Sequence, residues 1–222
     1  MTIWIFGHSL CLPFDLEDSR QGWPHKLGQA LAATVQNHAE PAADNFYIYS
    51  SYQHVLPKIA ATDLVIVGWS HPSRKSFVLD PNNTKQLEIA EQGLRYQIGT
   101  YQLFRSHNPM SASVSDWSNL EPRTQGNEFF DTWFSNYYSD FEQRTNFRAY
   151  RHSLAQTCPC PRIEFYFSQE SVAPDQVTGA GFALDWIIKH QAYISPNNCH
   201  FSVAGHRAWA DHLLDYLDHV ID

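Results

Sequence analysis

The chain has 222 residues, 43% of them hydrophobic, and a formal net charge of −8. That length gives room for one domain with a full core, and an acidic balance without a basic stripe argues against a protein that tracks nucleic-acid phosphates. No stretch approaches the ~18 apolar residues of a membrane span, and the run Thr2–Phe6 has no basic region before it, so a cytoplasmic protein without a signal peptide or membrane partner is expected. Cys11, Cys158, Cys160 and Cys199 make no disulfide framework. Cys158-Pro159-Cys160 is too tight for an easy disulfide and lacks a second pair for zinc, so idle thiols in a reducing compartment are expected. The abundant Trp, Tyr and Phe can fill a core or line a sugar pocket.

Thr2–Phe6, rich in β-branched and aromatic residues, predicts a first strand that breaks at Gly7 and presents Ser9. Trp23-Pro24 opens a helix, and Leu27, Leu31 and Val35 carry its apolar stripe. Asn45–Tyr49 reads as a second strand, followed by Ser50-Ser51 and a short helix over 52–60. Asp63–Gly68 is a continuous apolar run ending in glycine, which suits a strand covered on both faces. The first third therefore reads β-α-β-α-β, the pattern of a parallel sheet with helices on both sides.

A helix over 84–101 comes next, weakened by Gly93 and Gly99, and then a long irregular segment over 106–127 of the kind used for lids and binding loops. Phe130, Trp133, Phe134, Tyr137, Tyr138 and Phe141 recur at spacings of three and four and predict a helix over 129–156, its aromatic face either core or the wall of a cleft. Ile163–Phe167 reads as a further strand, and 177–190 and 204–220 as helices. The expectation is one α/β domain over 1–222, with three layers and a mostly parallel sheet of four or five strands.

Two stretches carry chemistry together. One is Gly7-His8-Ser9 after the first strand; the other runs from Asn197 through His200 to His206, just before the last helix. Loops after parallel strands gather along one edge of the sheet, where ligands bind. A serine nucleophile there needs a histidine to take its proton and donors for an oxyanion.

This layout resembles the SGNH (GDSL-type) hydrolases, esterases and lipases on a flavodoxin-like α/β/α fold. Their nucleophile lies in Gly-Asp-Ser after the first strand and their histidine in Asp-x-x-His before the last helix, followed by Ser and Gly-His. His200-Phe201-Ser202 and Gly205-His206 repeat that arrangement. The chain is also similar to small SGNH-like proteins encoded by marine bacteriophages, which carry Trp-Thr/Ser-x-Pro-x-Arg after the third strand, where Trp69-Ser70-His71-Pro72-Ser73-Arg74 stands here. The resemblance implies Ser9 as nucleophile, His200 as general base and Asn197 in the place of the triad acid. It implies Ser9, Ser51 and Ser70 as oxyanion donors, and His8, Trp69, His71 and Arg74 around the substrate. The implied reaction is hydrolysis of a small or carbohydrate ester, with no cofactor and no metal.

The motifs depart from the family at His8, at Asn197 and after the third strand, where Gly68-Trp69-Ser70-His71 replaces Gly-x-Asn-Asp. An Asp→Asn change in a triad costs about 10⁴ in rate in the serine proteases, so a backbone carbonyl, Asp175 or Asp185 is a candidate substitute. Two other readings follow. The chain keeps the fold as a binding or virion-associated protein without catalysis, or His8, His71 and His200 converge on a zinc ion with an open position for water. Each residue also has an ordinary reading: Ser9 as a turn residue, Arg74 as a surface charge, His206 as a buried structural imidazole.

Overall fold

The computed structural model describes residues 1–41, 43–71, 74, 76–78, 94–98, 101–105, 139–168, 179–195 and 198–220. In chain order the elements are β1 (Thr2–Phe6), α1 (Trp23–Ala30), β2 (Thr34–Asn37), α2 (Asn45–Val55), β3 (Leu64–Trp69), β4 (Ser76–Val78), β5 (Leu94–Ile98), β6 (Tyr101–Arg105), α3 (Asp140–Thr157), β7 (Arg162–Tyr166), α4 (Ala183–Lys189), β8 (Tyr193–Ser195), β9 (Asn198–Phe201) and α5 (Val203–Val220). β3 is buried at every position, as its unbroken apolar run requires. It is the third strand of a four-stranded parallel sheet ordered β2-β1-β3-β7.

Alternation along the strands builds the layers. Ile3, Ile5, Leu64, Ile66, Ile163 and Phe165 face one side, where Trp23 and Leu27 of α1, Leu184 and Ile187 of α4, and Trp209 and Leu213 of α5 cover them. Trp4, Phe6, Val65, Val67, Trp69 and Tyr166 face the other, under Ile48 and Tyr52 of α2 and Phe147 and Leu154 of α3. The architecture is therefore α/β/α, with, among the described residues, four parallel strands and a parallel bridge, Tyr166 to Phe182, beyond β7. The Asp63 carboxylate fastens the start of β1 to the sheet: it accepts from Thr2 N (2.7 Å), Trp4 Nε1 (3.0 Å) and Ala60 N (3.0 Å).

Several sequence expectations are corrected. Asn45–Tyr49 is the start of α2, not a strand. The Asp44 carboxylate caps it by accepting from Tyr47 N at 2.8 Å, and Ile48, Tyr52 and Val55 then fall on one buried face, so cap and helical period override the β preference of the aromatic residues. The second strand is β2, because α1 stops at Ala30. Ala32 adopts a φ of 49° and Ala33 N donates back to Gly28 O at 2.9 Å, a left-handed stop made without glycine.

Within 84–101, residues 94–98 are strand, not helix: β5 pairs antiparallel with β6, and β6 with β4. The segment over 106–127 and the rings from Phe130 to Tyr138 lie outside the described residues. α3 begins after Ser139, whose hydroxyl accepts from Glu142 N, and Phe141 is 79% exposed, so neither a core nor a cleft role holds for that ring. The helix expected over 177–190 is α4; before it, Ala180 N donates to Glu164 O at 2.8 Å, and Tyr166 N donates to Gly181 O at 3.0 Å, alongside β7.

β8 and β9 form a hairpin directly before α5. Ser202 links them to the helix: its hydroxyl donates to Ala192 O at 3.2 Å and accepts from Gly205 N at 3.1 Å. A Cβ on Gly205 would drive into the Ala192 carbonyl oxygen, a backbone atom held by Ser202 N at 2.8 Å. Gly205→Ala is expected to cost about 1–3 kcal/mol, the usual range for overpacking, read as a lower urea midpoint at unchanged slope.

Candidate active site

β1 ends at Phe6, and the chain turns at Gly7 into a single 3-10 turn, Ser9–Cys11. Gly7 is required because a Cβ there would collide with Cys11 Sγ. His8 caps the turn: its Nδ1 accepts from Leu10 N at 3.4 Å and its carbonyl accepts from Cys11 N at 2.8 Å. Ser9 is thereby set at the first position of the turn, half-buried, and among the described residues its own N–H makes no hydrogen bond.

On the neighbouring strand, β3 runs past the Phe6–Val67 pair to end at Trp69. Ser70 follows, fully buried, held by Asn45 at the first turn of α2. Asn45 Oδ1 accepts from Ser70 N at 2.8 Å and Asn45 Nδ2 donates to Ser70 O at 3.1 Å. The Ser70 hydroxyl oxygen accepts from Arg74 Nη1 at 3.0 Å, which keeps its own proton available for donation. The Arg74 guanidinium lies 5.2 Å over the Phe167 ring, and His8 meets the same ring edge-on at 5.3 Å. Phe167 thus forms a common floor for His8 and Arg74 at the carboxyl ends of the strands.

His200 approaches this edge on β9, which packs against the Ser9–Cys11 turn. Its ring stacks on Phe14 with centroids 4.5 Å apart. Its Nδ1 is 2.9 Å from Asn198 Oδ1, which also accepts from His200 N at 3.1 Å. Asn198 Nδ2 donates to Asp15 Oδ2 at 2.8 Å, and that oxygen lies 3.6 Å from His200 Nδ1. With Nδ1–H donated to Asn198, Nε2 is the basic nitrogen. Burial holds the imidazole below its ordinary pKa, Arg74 acts in the same direction, and Asp15 opposes both. The neutral form, able to accept a proton, therefore prevails near neutral pH. Ser9 Oγ and the His200 ring are not hydrogen-bonded to each other.

The remaining expected site residues divide. Ser51 lies inside α2, six residues beyond Asn45, buried, with its N–H in the helical ladder. It therefore cannot be an oxyanion donor. Trp69 is core, not substrate wall: it faces α3, packs on Phe147, and its Nε1 donates to Glu164 Oε2 at 2.8 Å. His71 is half-buried, and its carbonyl accepts from Arg74 N at 3.2 Å. Asn197 and Asp175 lie outside the described residues, and Asp185 is exposed on α4.

Among the described residues no three His, Cys, Asp or Glu side chains are grouped to hold a metal ion, so the three-imidazole zinc reading is not assembled. His8 Nδ1 and His200 Nδ1 are engaged with Leu10 N and Asn198 instead. His206 is buried, its Nδ1 accepting from Trp23 N at 3.2 Å, and burial lowers its pKa to about 4. Burial pushes the Cys11 thiol up to about 12 and the Cys199 thiol up to about 11, which leaves both inert.

Sequence reasoning missed Asp15 and Asn198. Neither belongs to a motif at a fixed spacing, and their meeting depends on a turn in which Asp15 takes a φ of 59°. It also missed the cleft between α2 and α3, lined by Asn45, Phe46, Arg74, Gln143, Asn146 and Tyr150, which joins the site at Arg74. Gln143 is buried there, and among the described residues its Nε2 has no hydrogen-bond partner.

No family model matches the chain, and no curated protein matches it by sequence. Solved structures do. TesA aligns over 99% of this chain and 99% of its own, at 12% identity and a TM-score of 0.52. The psychrotrophic esterase EstA from Pseudoalteromonas sp. aligns over 98% and 97% at 10% identity and 0.49. A member of the lipolytic protein G-D-S-L family from Veillonella parvula DSM 2008 aligns over 97% of both chains at 13% identity and 0.43. The TesA likeness carries the fold; together with the β2-β1-β3-β7 sheet under helices on both faces, it gives this chain the three-layer α/β fold of the SGNH (GDSL-type) hydrolases.

Proposed function

We propose that the chain is a serine ester hydrolase acting as one domain on a small or carbohydrate ester, without cofactor, nucleic acid or membrane. Ser9 Oγ attacks the ester carbonyl while His200 Nε2 takes its proton. The oxyanion is held by the Ser9 N–H and the Ser70 hydroxyl. As the C–O bond breaks, the imidazolium returns the proton to the departing alcohol and leaves an acyl-Ser9. Water, deprotonated by the same nitrogen, then releases the acid and restores the serine. Arg74, beside the Ser70 hydroxyl, faces the substrate, and a guanidinium there favours esters with an anionic or strongly polar group.

The observation that supports this most is the Nδ1 hydrogen bond of His200 to Asn198 at 2.9 Å, which leaves Nε2 basic beside the Ser9 turn. The binding-protein reading draws on the departures at His8 and Asn197 and on the unformed Ser9–His200 hydrogen bond. A fluorophosphonate probe separates the two. Covalent labelling of the wild type that disappears in Ser9→Ala is the expected result. A folded wild type that takes up no probe at any pH leaves only the binding reading.

A further inference from the structure

We infer that Asp15 is the positioning carboxylate of His200, acting through the side-chain amide of Asn198. The inference deepens the proposed function and rests on His200 as its base. Three contacts in sequence carry it. His200 Nδ1 meets Asn198 Oδ1 at 2.9 Å, Asn198 Nδ2 meets Asp15 Oδ2 at 2.8 Å, and the same carboxylate oxygen stands 3.6 Å from the ring nitrogen.

A side-chain amide has an accepting end and a donating end, whereas a carboxylate only accepts. Asp15, at the nitrogen end, and the His200 backbone N–H, which donates to Oδ1 at 3.1 Å, together turn the Asn198 nitrogen outward and its oxygen to the imidazole. An amide turned the other way would offer N–H to Nδ1, move the ring proton to Nε2 and remove the base. Asp15 also places a negative charge beside the imidazolium that forms when Ser9 loses its proton. An asparagine alone orients the ring and adds no charge; Asn198 with Asp15 does both. The acid thus comes from the same N-terminal segment as the nucleophile, six residues after Ser9, and Phe14 between them holds the ring face.

The charged groups that act on His200 are Asp15 and Arg74, and His200 itself acts on the buried His206. Only Asp15 favours the cation, which makes its removal readable. Asp15→Asn keeps the shape, and asparagine tolerates the left-handed φ of 59° at an exposed position, so the variant folds. Through a bridging amide the effect falls short of the directly bonded triad acid: phosphonylation of Ser9 is expected to slow about 10- to 100-fold. Nitrogen NMR of His200 should show proton density moving to Nε2 and a lower imidazole pKa, neither of which a merely structural role would move. Adding Asn198→Asp to Asp15→Asn puts a carboxylate directly on Nδ1 and is expected to recover most of the lost rate.

An Asp15→Asn protein with unchanged labelling rate, tautomer and pKa overturns the inference while leaving the hydrolase reading intact. A wild type that never labels, but whose His200 tautomer and pKa still respond to Asp15→Asn, sustains the link and removes the hydrolase reading instead.

Discussion

His200→Ala is expected to slow phosphonylation of Ser9, and ester turnover with it, by about 10²- to 10⁴-fold, the range of a positioned general base. The variant loses the Phe14 stack and the Asn198 contact, neither of which ties core elements together, so it should remain folded. The wild-type rate should follow a single ionisation at its acidic limb. Burial first, and Arg74 second, hold the His200 pKa under the ordinary 6.5 despite Asp15, so the rate falls only below that value. The measurement is the second-order rate of inactivation against pH for both proteins. A His200→Ala protein labelled at the wild-type rate would show that Ser9 is activated by something else.

Acid should unfold the protein through its histidines before its carboxylates. His206 is fully enclosed, and its Nδ1 already accepts the Trp23 N–H at 3.2 Å. Protonation would set one donor against another and strand a charge between Phe201 and α1. Its folded pKa is about 4 against an ordinary 6.5. A depressed folded pKa means that the unfolded chain binds the proton first. The stability in question is whole above pH 6.5 and is lost as pH falls toward 4; the difference corresponds to about 3 kcal/mol. His38 and His200, also lowered chiefly by burial, change in the same direction. Urea unfolding at stepped pH should give that slope for the wild type. In His206→Gln, whose amide oxygen can accept from Trp23 N without titrating, the slope should flatten. An equal acid slope in both proteins would assign the loss to other groups.

The parts of this molecule written as patterns were legible. Thr2–Phe6 and Leu64–Trp69 announce strands because a parallel sheet covered on both faces demands continuous apolar runs, and α5 announces itself by the stripe Trp209, Leu213 and Leu217. β2 was hidden because it is an edge strand with three of its four residues exposed, and because α1 is ended by the backbone of Ala32 rather than by a glycine. α2 was misread because its tyrosines favour strands, while the deciding signal was one capping aspartate. The same holds at the site. Ser9 and His200 stand out by their places after a strand and before a helix, and Ser70 and Arg74 by the resemblance; Arg74 bonds Ser70, and the strand of His200 packs on the Ser9 turn. Asp15 could not be found this way, since nothing in a one-dimensional spacing tells which carboxylate an asparagine on a distant hairpin will face.

One packing detail reaches further than its size suggests. Cys11 Sγ fills the notch left by the missing side chains of Gly7 and Gly68, one at the end of β1 and one near the end of β3, and its own turn carries Ser9. Bulk added at Gly7 must be matched by bulk removed at position 11, and bulk added at Gly68 by room at both Cys11 and Phe165, or the turn lifts off the sheet and the hydroxyl rises with it. These three small residues, with the Phe165 ring against Gly68, therefore form a single heritable unit. Among descendants of this chain they are expected to vary in concert, and a lineage that enlarges one of them alone should forfeit the height of its serine before it forfeits its fold.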